Sequence, residues 1–259
     1  VVGNTGCKKI KDNLLEQINL NKIDFVIVNG ENAADEGVGL TKEICEDFFK
    51  SGVNVITTGN HVWDKKDIMK FIDKENRLLR PNNLFEPAPG KGFHVYITPK
   101  NIRIGVLNLM GNVFMKKCDD VFEASKKFIE KYKLKYDYDL LVVDFHGEIT
   151  SEKNALGYFF DGKATLVVGT HTHIPTNDAR ILENGTAYQT DAGMCGDYDS
   201  VIGMDKVNSL KRFRKIDSVK NFPAKGDATL SGVIVDCNIE TGLAKKIRSY
   251  IFGGQLKNY

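Results

Sequence analysis

The stretch "ATLVVGTHTH" (164–173) joins an apolar run to two histidines that lie one residue apart. A short apolar run rich in β-branched residues is typical of a buried strand. If the strand continues in an extended conformation, His171 and His173 point to the same side. We therefore expect the two imidazoles to reach one metal site or two adjacent ones. Taken alone, the H-x-H pattern is only a weak indication of metal binding.

Three other predicted strands end in the same manner, in residue types that bind metals. They are "VIVNGEN" (26–32), "VITTGNH" (55–61) and "LVVDFHG" (141–147). In open α/β sheets, functional groups collect at the carboxyl ends of the strands, so we expect these endings to meet at one edge. The candidate metal ligands are Glu31, Asn32, Asn60, His146, His171 and His173.

Each ending also has a structural interpretation. Asn60 can cap a turn, Glu31 can be an ordinary loop residue, and His146 can form a hydrogen bond with Asp144 or Glu148. The joint occurrence of all four endings favours metal binding. Carboxylate, amide and imidazole ligands without thiolates suit Fe, Mn or Zn. Six ligands exceed the need of one tetrahedral ion and fit two ions about 3.5–4 Å apart.

Composition is that of an ordinary globular protein. The 259 residues carry a net charge of +2, and 42% of them are hydrophobic, which gives no support for wrapping nucleic acid or binding an anionic membrane. No apolar run approaches the length needed to cross a bilayer. The five cysteines are scattered and odd in number, which argues against a disulfide framework and for a reducing compartment. We therefore expect a cytoplasmic protein.

The order of predicted elements indicates the fold class. Strands at 23–30 and 53–60 flank a helix with Thr41 as its N-cap, which makes a β-α-β unit. A second helix is predicted at 64–73 with Asp64 as its cap. The last third of the chain is mostly short strands, and no linker divides the sequence. We expect a single α/β domain over residues 1–259 in which two packed mixed sheets are flanked by helices.

Several longer motifs, taken in order, carry a family resemblance. They are "TTGNHVWDKK" (57–66), "RPNN" (80–83), "DFHGEITSEK" (144–153), "VVGTHTHIPT" (167–176) and "TDAGMCG" (190–196). With the strand endings above, they resemble the calcineurin-like metallophosphoesterases. They are most similar to the bacterial YmdB-like branch, known as 2′,3′-cyclic nucleotide phosphodiesterases. The resemblance covers nearly the whole chain and implies a four-layer α/β/β/α metallophosphoesterase sandwich.

The resemblance also implies a site with two divalent or trivalent ions, Fe above all, with Mn or Zn as alternatives. Glu31 would take the bridging position that most of the superfamily gives to aspartate. Asn32 and His173 would bind the first ion. Three residues would complete the ligands of the second ion: Asn60, His146 and His171. The family's first motif, a strand ending in Gly-Asp, would place a further ligand immediately before Val1.

By the same resemblance, His61 is the catalytic acid, a non-ligand histidine beside the scissile phosphate. Its alternative is a supporting role behind the ligands. The implied substrate is a small phosphodiester such as 2′,3′-cAMP, without stable nucleic-acid binding or a membrane. A homo-oligomer is possible, because family members are often oligomers.

Three other functions are compatible with parts of the pattern. Another phosphoesterase, such as a phosphomonoesterase or nucleotidase, would use the same metals with a different substrate pocket. A regulatory module would keep the fold and lose the activity. A zinc amidohydrolase also uses H-x-H, but there the motif usually opens a (β/α)₈ chain, whereas here it begins at His171.

Overall fold

The structure, a computed structural model, describes residues 1–216 and 220–256. Its strands are β1 (Ile27–Asn29), β2 (Val55–Thr57), β3 (Phe93–Ile97), β4 (Arg103–Met110), β5 (Leu140–His146), β6 (Leu166–Thr170), β7 (Arg180–Ile181), β8 (Ala187–Gln189), β9 (Gly196–Asp197), β10 (Ala228–Cys237) and β11 (Ala244–Phe252). Its α-helices are α1 (Gly3–Asn21), α2 (Lys42–Lys50), α3 (Val121–Lys131), α4 (Thr150–Phe159) and α5 (Lys206–Phe213).

The largest sheet has six strands in the order β3-β4-β5-β6-β8-β7. The inner strands β4, β5, β6 and β8 are parallel, while β3 and β7 run antiparallel at the two edges. His146 at the end of β5 lies opposite Thr170 at the end of β6. The carboxyl ends of two central strands therefore meet next to each other, as the sequence predicts.

The remaining strands form two smaller sheets. Strands β1 and β2 pair in parallel, with Asn29 opposite Thr57, and β9, β10 and β11 form an antiparallel sheet. Residues at the start of the chain connect the two: the backbone N–H of Val2 donates to Cys195 O, and that of Gly3 donates to Asn32 O. The two smaller sheets thus lie side by side.

Three groups of apolar side chains show how the layers stack. Helices α1 and α2 pack on the outer face of the smaller sheets, where Ile10 of α1 and Phe48 of α2 lie in one cluster with Ile56 of β2. Helices α3 and α4 pack on the outer face of the six-stranded sheet. Between the sheets, Val55 and Val106 belong to a third cluster. The order is helices, small sheets, large sheet, helices, which confirms the predicted four-layer fold.

Side-chain alternation along β5 decides what reaches the space between the sheets. Leu141, Val143 and Phe145 pack toward the outer helices. Because successive side chains of a strand point to opposite faces, Asp144 and His146 point inward, toward β1 and β2. Asp144 and His146 of β5 are therefore directed at the carboxyl ends of β1 and β2.

The chain between 57 and 80 differs from the sequence prediction. Thr41 caps α2 as expected, with its hydroxyl accepting from the Ile44 N–H. The helix predicted at 64–73 is only a 3₁₀ turn at Lys66–Lys70, and Asp64 does not cap it. The Asp64 carboxylate contacts the His61 ring instead. The single domain over 1–259 stays a prediction, and it includes residues 217–219 and 257–259, which lie outside the described residues.

Candidate metal centre

Four of the predicted ligands converge on one point. Around Nε2 of His146, Glu31 Oε2 lies at 2.9 Å, Asn60 Oδ1 at 3.0 Å and His171 Nδ1 at 3.0 Å. His146 and Glu31 are almost fully buried. One imidazole nitrogen offers one proton or one lone pair, so it cannot form hydrogen bonds to all three neighbours.

A relay behind His146 fixes the tautomer of its ring. The Thr170 hydroxyl donates to Asp144 Oδ1 at 2.7 Å, and His146 Nδ1 lies 3.0 Å from that same hydroxyl oxygen. With its proton committed to Asp144, the hydroxyl accepts from His146 Nδ1–H. His146 Nε2 therefore presents a lone pair to the cluster, as metal-binding histidines do.

Asp144 is fully buried and held by three donors. Besides Thr170, the Thr57 hydroxyl lies at 2.5 Å and the Asn29 amide at 3.0 Å. Burial raises the pKa of Asp144, and these hydrogen bonds oppose the rise. The acid links the ends of β1, β2, β5 and β6 behind the ligands.

Glu148 fixes the tautomer of His171, the second imidazole of the cluster. Its Oε2 lies 2.9 Å from His171 Nε2, so that nitrogen carries the proton and His171 Nδ1 presents its lone pair. Burial, followed by the neighbouring His146, lowers the pKa of His171 to about 4. The ring is therefore neutral and available as a ligand at neutral pH.

The charge of Glu31 also suits a ligand. Burial raises its pKa, but a proton on the His146 ring and the backbone N–H of His61, which donates to Glu31 Oε1 at 2.8 Å, outweigh burial and lower the pKa to about 2. The carboxylate is ionised near neutral pH and faces the imidazole nitrogens.

Together, a carboxylate oxygen, an amide oxygen and two imidazole nitrogens direct lone pairs at one another. The ligand atoms of Glu31, His146 and His171 all lie within 4.8 Å of each other. Such a group is electrostatically unfavourable by itself and becomes favourable around a cation. The residues therefore fit a metal ion, and their mixed N/O character suits Fe, Mn or Zn.

The other two predicted ligands form a pair beside this cluster. His173 Nδ1 lies 2.7 Å from the carbonyl oxygen of Ile202, which can only accept, so Nε2 of that ring carries the lone pair. Asn32 Nδ2 lies 3.1 Å from it. Asn32 Oδ1 is buried and has no hydrogen-bond partner among the described residues. An unpaired buried oxygen beside an imidazole lone pair is what a second cation would satisfy.

His61 is placed next to the cluster without joining it. Its Nδ1 lies 2.6 Å from Asp64 Oδ2, and its ring is partly exposed. The ammonium of Lys116 donates to the backbone carbonyl of Asn60 at 2.7 Å and lies 3.3 Å from Asp64 Oδ1. The side chain of His61 is thus oriented by an acid, separately from the convergent ligands.

The H-x-H motif reaches the site in a different way from the prediction. Strand β6 ends at Thr170, and both His171 and His173 have left-handed backbone conformations, with φ of 101° and 68°. The two rings face different groups, His171 toward His146 and His173 toward Asn32. A turn, and not the alternation of an extended strand, directs them.

Gly59 is required by a close approach. A Cβ at this position would lie 2.3 Å from Nε2 of His146, so any side chain would enter the ligand cluster. The glycine before Asn60 therefore makes room for the imidazole.

Sequence reasoning missed the residues that orient the site histidines. Asp64, Thr170 and Glu148 each contact a site histidine. Asp64 follows His61 at a spacing of three, which could have indicated a local pair. Glu148 was considered as a partner of His146, but it contacts His171. For Thr170 the sequence gives no signal.

The four-layer sandwich with this cluster at its strand ends defines the metallophosphoesterase class. A model of the YmdB-like protein family matches residues 1–250. The chain belongs to the YmdB-like family. This membership confirms the family resemblance and the fold class.

Individual relatives agree with the family. The chain is 44% identical over 247 residues to the 2′,3′-cyclic-nucleotide 2′-phosphodiesterase of Bacillus subtilis, covering 95% of this chain and 92% of that protein. A solved structure described as a novel phosphatase from Mycoplasma pneumoniae is 37% identical with a TM-score of 0.89, covering 97% and 90% of the two chains. A hypothetical protein from Thermus thermophilus has the same TM-score of 0.89 at 36% identity, covering 97% and 96%. The prediction of a phosphodiesterase-type hydrolase is confirmed by these relatives.

Two further findings concern the cysteines and the helices. All five cysteines are free thiols. Within the described ranges, no helix combines the length and apolar character needed to cross a membrane.

Proposed function

We propose that the protein hydrolyses a small phosphodiester at this centre, with 2′,3′-cyclic nucleotides such as 2′,3′-cAMP as substrates. The observation that carries the proposal is the set of four lone pairs converging around His146 Nε2. The substrate class is supported by the B. subtilis relative, which is named for this activity.

The six predicted ligands would hold two ions. Glu31, Asn60, His146 and His171 would surround one ion, and Asn32 with His173 would bind the other, with Glu31 between them. Two such ions supply charge neutralisation of the phosphodiester and lower the pKa of a water molecule at the site. Fe is the proposed metal, with Mn and Zn as alternatives, because nitrogen and oxygen ligands occur without thiolate.

His61 would serve as the proton donor to the leaving oxygen. Asp64 orients its ring through Nδ1, and the other nitrogen, Nε2, forms no hydrogen bond within the described part of the chain. An imidazolium fixed by a carboxylate can donate from its free nitrogen while the acid stabilises its charge. Lys116 contacts both the backbone carbonyl of Asn60 and the Asp64 carboxylate. His61 therefore stays close to Asn60, the proposed ligand that precedes it.

A second candidate is phosphomonoester hydrolysis. It is favoured by the M. pneumoniae structure, which is described as a phosphatase and covers 97% of this chain. The same ligands would serve both reactions, since a diester and a monoester differ in the groups around the phosphate and not in its need for charge neutralisation.

A substrate panel separates these functions. Metal-free protein is reloaded with Fe, Mn or Zn, and hydrolysis is measured for 2′,3′-cAMP, bis-p-nitrophenyl phosphate and p-nitrophenyl phosphate. We expect both diesters to be hydrolysed, 2′,3′-cAMP with the highest kcat/KM, and the metal-free protein to be inactive. Faster turnover of the monoester would favour the second candidate. Full activity without metal would contradict both.

The location and assembly stay predictions. We propose a cytoplasmic protein that binds a small substrate without stable nucleic-acid contacts. Light scattering of the full chain measures whether it forms the possible homo-oligomer.

A further inference from the structure

A buried ion pair lies behind the loop that carries His171 and His173. Lys153 on α4 and Asp191 after β8 are both completely enclosed, and the Lys153 ammonium lies 2.7 Å from Asp191 Oδ2. A buried charge pair is costly to desolvate and is weak evidence for stability by itself. Its position next to the ligand loop suggests another use.

The same carboxylate oxygen holds Thr172, the residue between the two histidines. The Thr172 backbone N–H donates to Asp191 Oδ2 at 3.1 Å, and its hydroxyl donates at 2.7 Å. The other oxygen, Oδ1, accepts the backbone N–H of Gly193 at 2.8 Å. Asp191 thus binds the centre of the H-x-H motif through two donors from one residue.

The segment after Asp191 also holds the end of the motif. The carbonyl of His173 accepts from the Met194 N–H at 3.1 Å and from the Tyr198 hydroxyl at 3.1 Å. At the other end, a Cβ on Gly169 would lie 1.8 Å from Thr190 O. The loop and the segment from 190 to 194 are therefore in direct contact along their length.

The conformation held in this way is one that the chain does not favour. His171 and His173 both have positive φ, which residues other than glycine rarely adopt. Two such residues in a three-residue stretch persist only where surrounding contacts enforce them. An extended loop would not direct one ring at His146 and the other at Asn32.

We propose that Asp191, charge-paired with Lys153, is a positioning residue that sets the backbone of the H-x-H loop through Thr172. In this role it determines which ligand group each imidazole faces, and Lys153 holds the carboxylate in place through the 2.7 Å contact. The inference rests on the proposed function, since it assigns the loop a metal-binding geometry.

The most direct test removes the side-chain contact and leaves the ion pair intact. Thr172→Val loses the hydroxyl donor, while Thr172→Ser keeps it. The matched control is Thr165→Val, a buried threonine just before the same strand β6, whose hydroxyl donates to Gly242 O. The readouts are the affinity for Mn²⁺ and Zn²⁺ by chelator competition, metal content, and kcat and KM separately.

Thr172→Val is expected to lose roughly 10–100-fold in metal affinity, the range for groups that orient metal ligands. The same variant should have a lower kcat with a nearly unchanged KM when metal is limiting. Thr172→Ser should restore the affinity, and Thr165→Val should keep it despite a similar loss of unfolding stability. Wild-type metal affinity in Thr172→Val, or an equal loss in Thr165→Val, would overturn the proposal.

A second pair of variants tests the charges. Asp191→Asn leaves Lys153 buried without its counter-charge and risks misfolding, so it is paired with the double variant Lys153→Met/Asp191→Asn. If the double variant folds, as judged by circular dichroism, we expect weakened metal binding in the folded protein. A folded double variant with wild-type affinity would refute the positioning role. Failure of the wild-type protein to bind any metal would refute the proposed function instead, so the two failures are distinguishable.

Discussion

The two kinds of histidine environment in this protein differ in what surrounds the ring. His94 lies in the middle of the edge strand β3, opposite Val106, and its ring packs edge-on against Tyr96 with centroids 5.0 Å apart. His146 is the last residue of β5 and His171 follows the last residue of β6, and their rings, 4.7 Å apart, face oxygen and nitrogen lone pairs.

A lowered pKa does not distinguish the two environments. Burial, followed by the charge of Lys91, lowers the pKa of His94, and burial with His146 lowers that of His171. The difference lies in the partner atoms: an aromatic edge in one case, a carboxylate and an imidazole in the other. We therefore propose His146 and His171 as ligands because of the lone pairs that their rings face, and the neutrality of a ring alone is insufficient.

Of the variants that compare the two histidine environments, His171→Ala is expected to have the largest effect on metal binding and turnover. Removing one of four convergent ligands should abolish binding of the ion beside His146 and reduce turnover by more than the roughly 10²–10⁴-fold due to a catalytic acid. Metal analysis of the purified variant measures this directly, with His94→Ala as the control. Full metal content in His171→Ala would place the site elsewhere.

The next effect concerns His61, the proposed catalytic acid. His61→Ala removes the ring that Asp64 orients and leaves the convergent ligands in place, so kcat should fall roughly 10²–10⁴-fold while metal content stays unchanged. Steady-state kinetics and metal analysis on the same preparation separate the two quantities. If His61→Ala loses metal as His171→Ala does, the assignment of His61 as a non-ligand is wrong.

A smaller effect is expected behind the ligands. Thr170→Val breaks the relay from Asp144 to His146 Nδ1, which should weaken metal affinity about 10–100-fold. Chelator competition measures the change. Thr186→Val is the matched control, because its buried hydroxyl donates to Ala164 O behind the same sheet and is not in the site. Equal affinities in the two variants would show that the relay does not orient His146.

The smallest effect is expected for His94, the histidine on the edge strand β3. His94→Ala should leave metal content and kcat unchanged and lower the free energy of unfolding by about 1 kcal/mol, since it loses one aromatic edge contact with Tyr96. Urea unfolding and the standard hydrolysis assay measure both. A loss of activity without a loss of stability would show that His94 affects the centre, which would break the contrast.

The sequence by itself determined the residue types and their places at strand ends. The runs before Glu31, Asn60 and His146 are short, apolar and β-branched, and they predicted the strands because such runs are a local property of the chain. The N-cap Thr41 was readable for the same reason. Since the carboxyl ends of parallel strands meet at one edge, the candidate ligands followed from the strands.

Only the tertiary structure decided which atoms face one another. Asp64 was read as a helix cap because a carboxylate before a helical pattern is a local signal, yet in the fold it contacts His61. The left-handed turn of His171 and His173 lies against Asp191, which is remote in sequence and buried beside Lys153. The tautomer of His146 depends on Thr170 from the neighbouring strand. The contacts of Asp191 and Thr170 arise from packing between segments that are distant in sequence, and local periodicity carries no information about them. The Asp64–His61 contact is local, and only the fold decided between it and a helix cap.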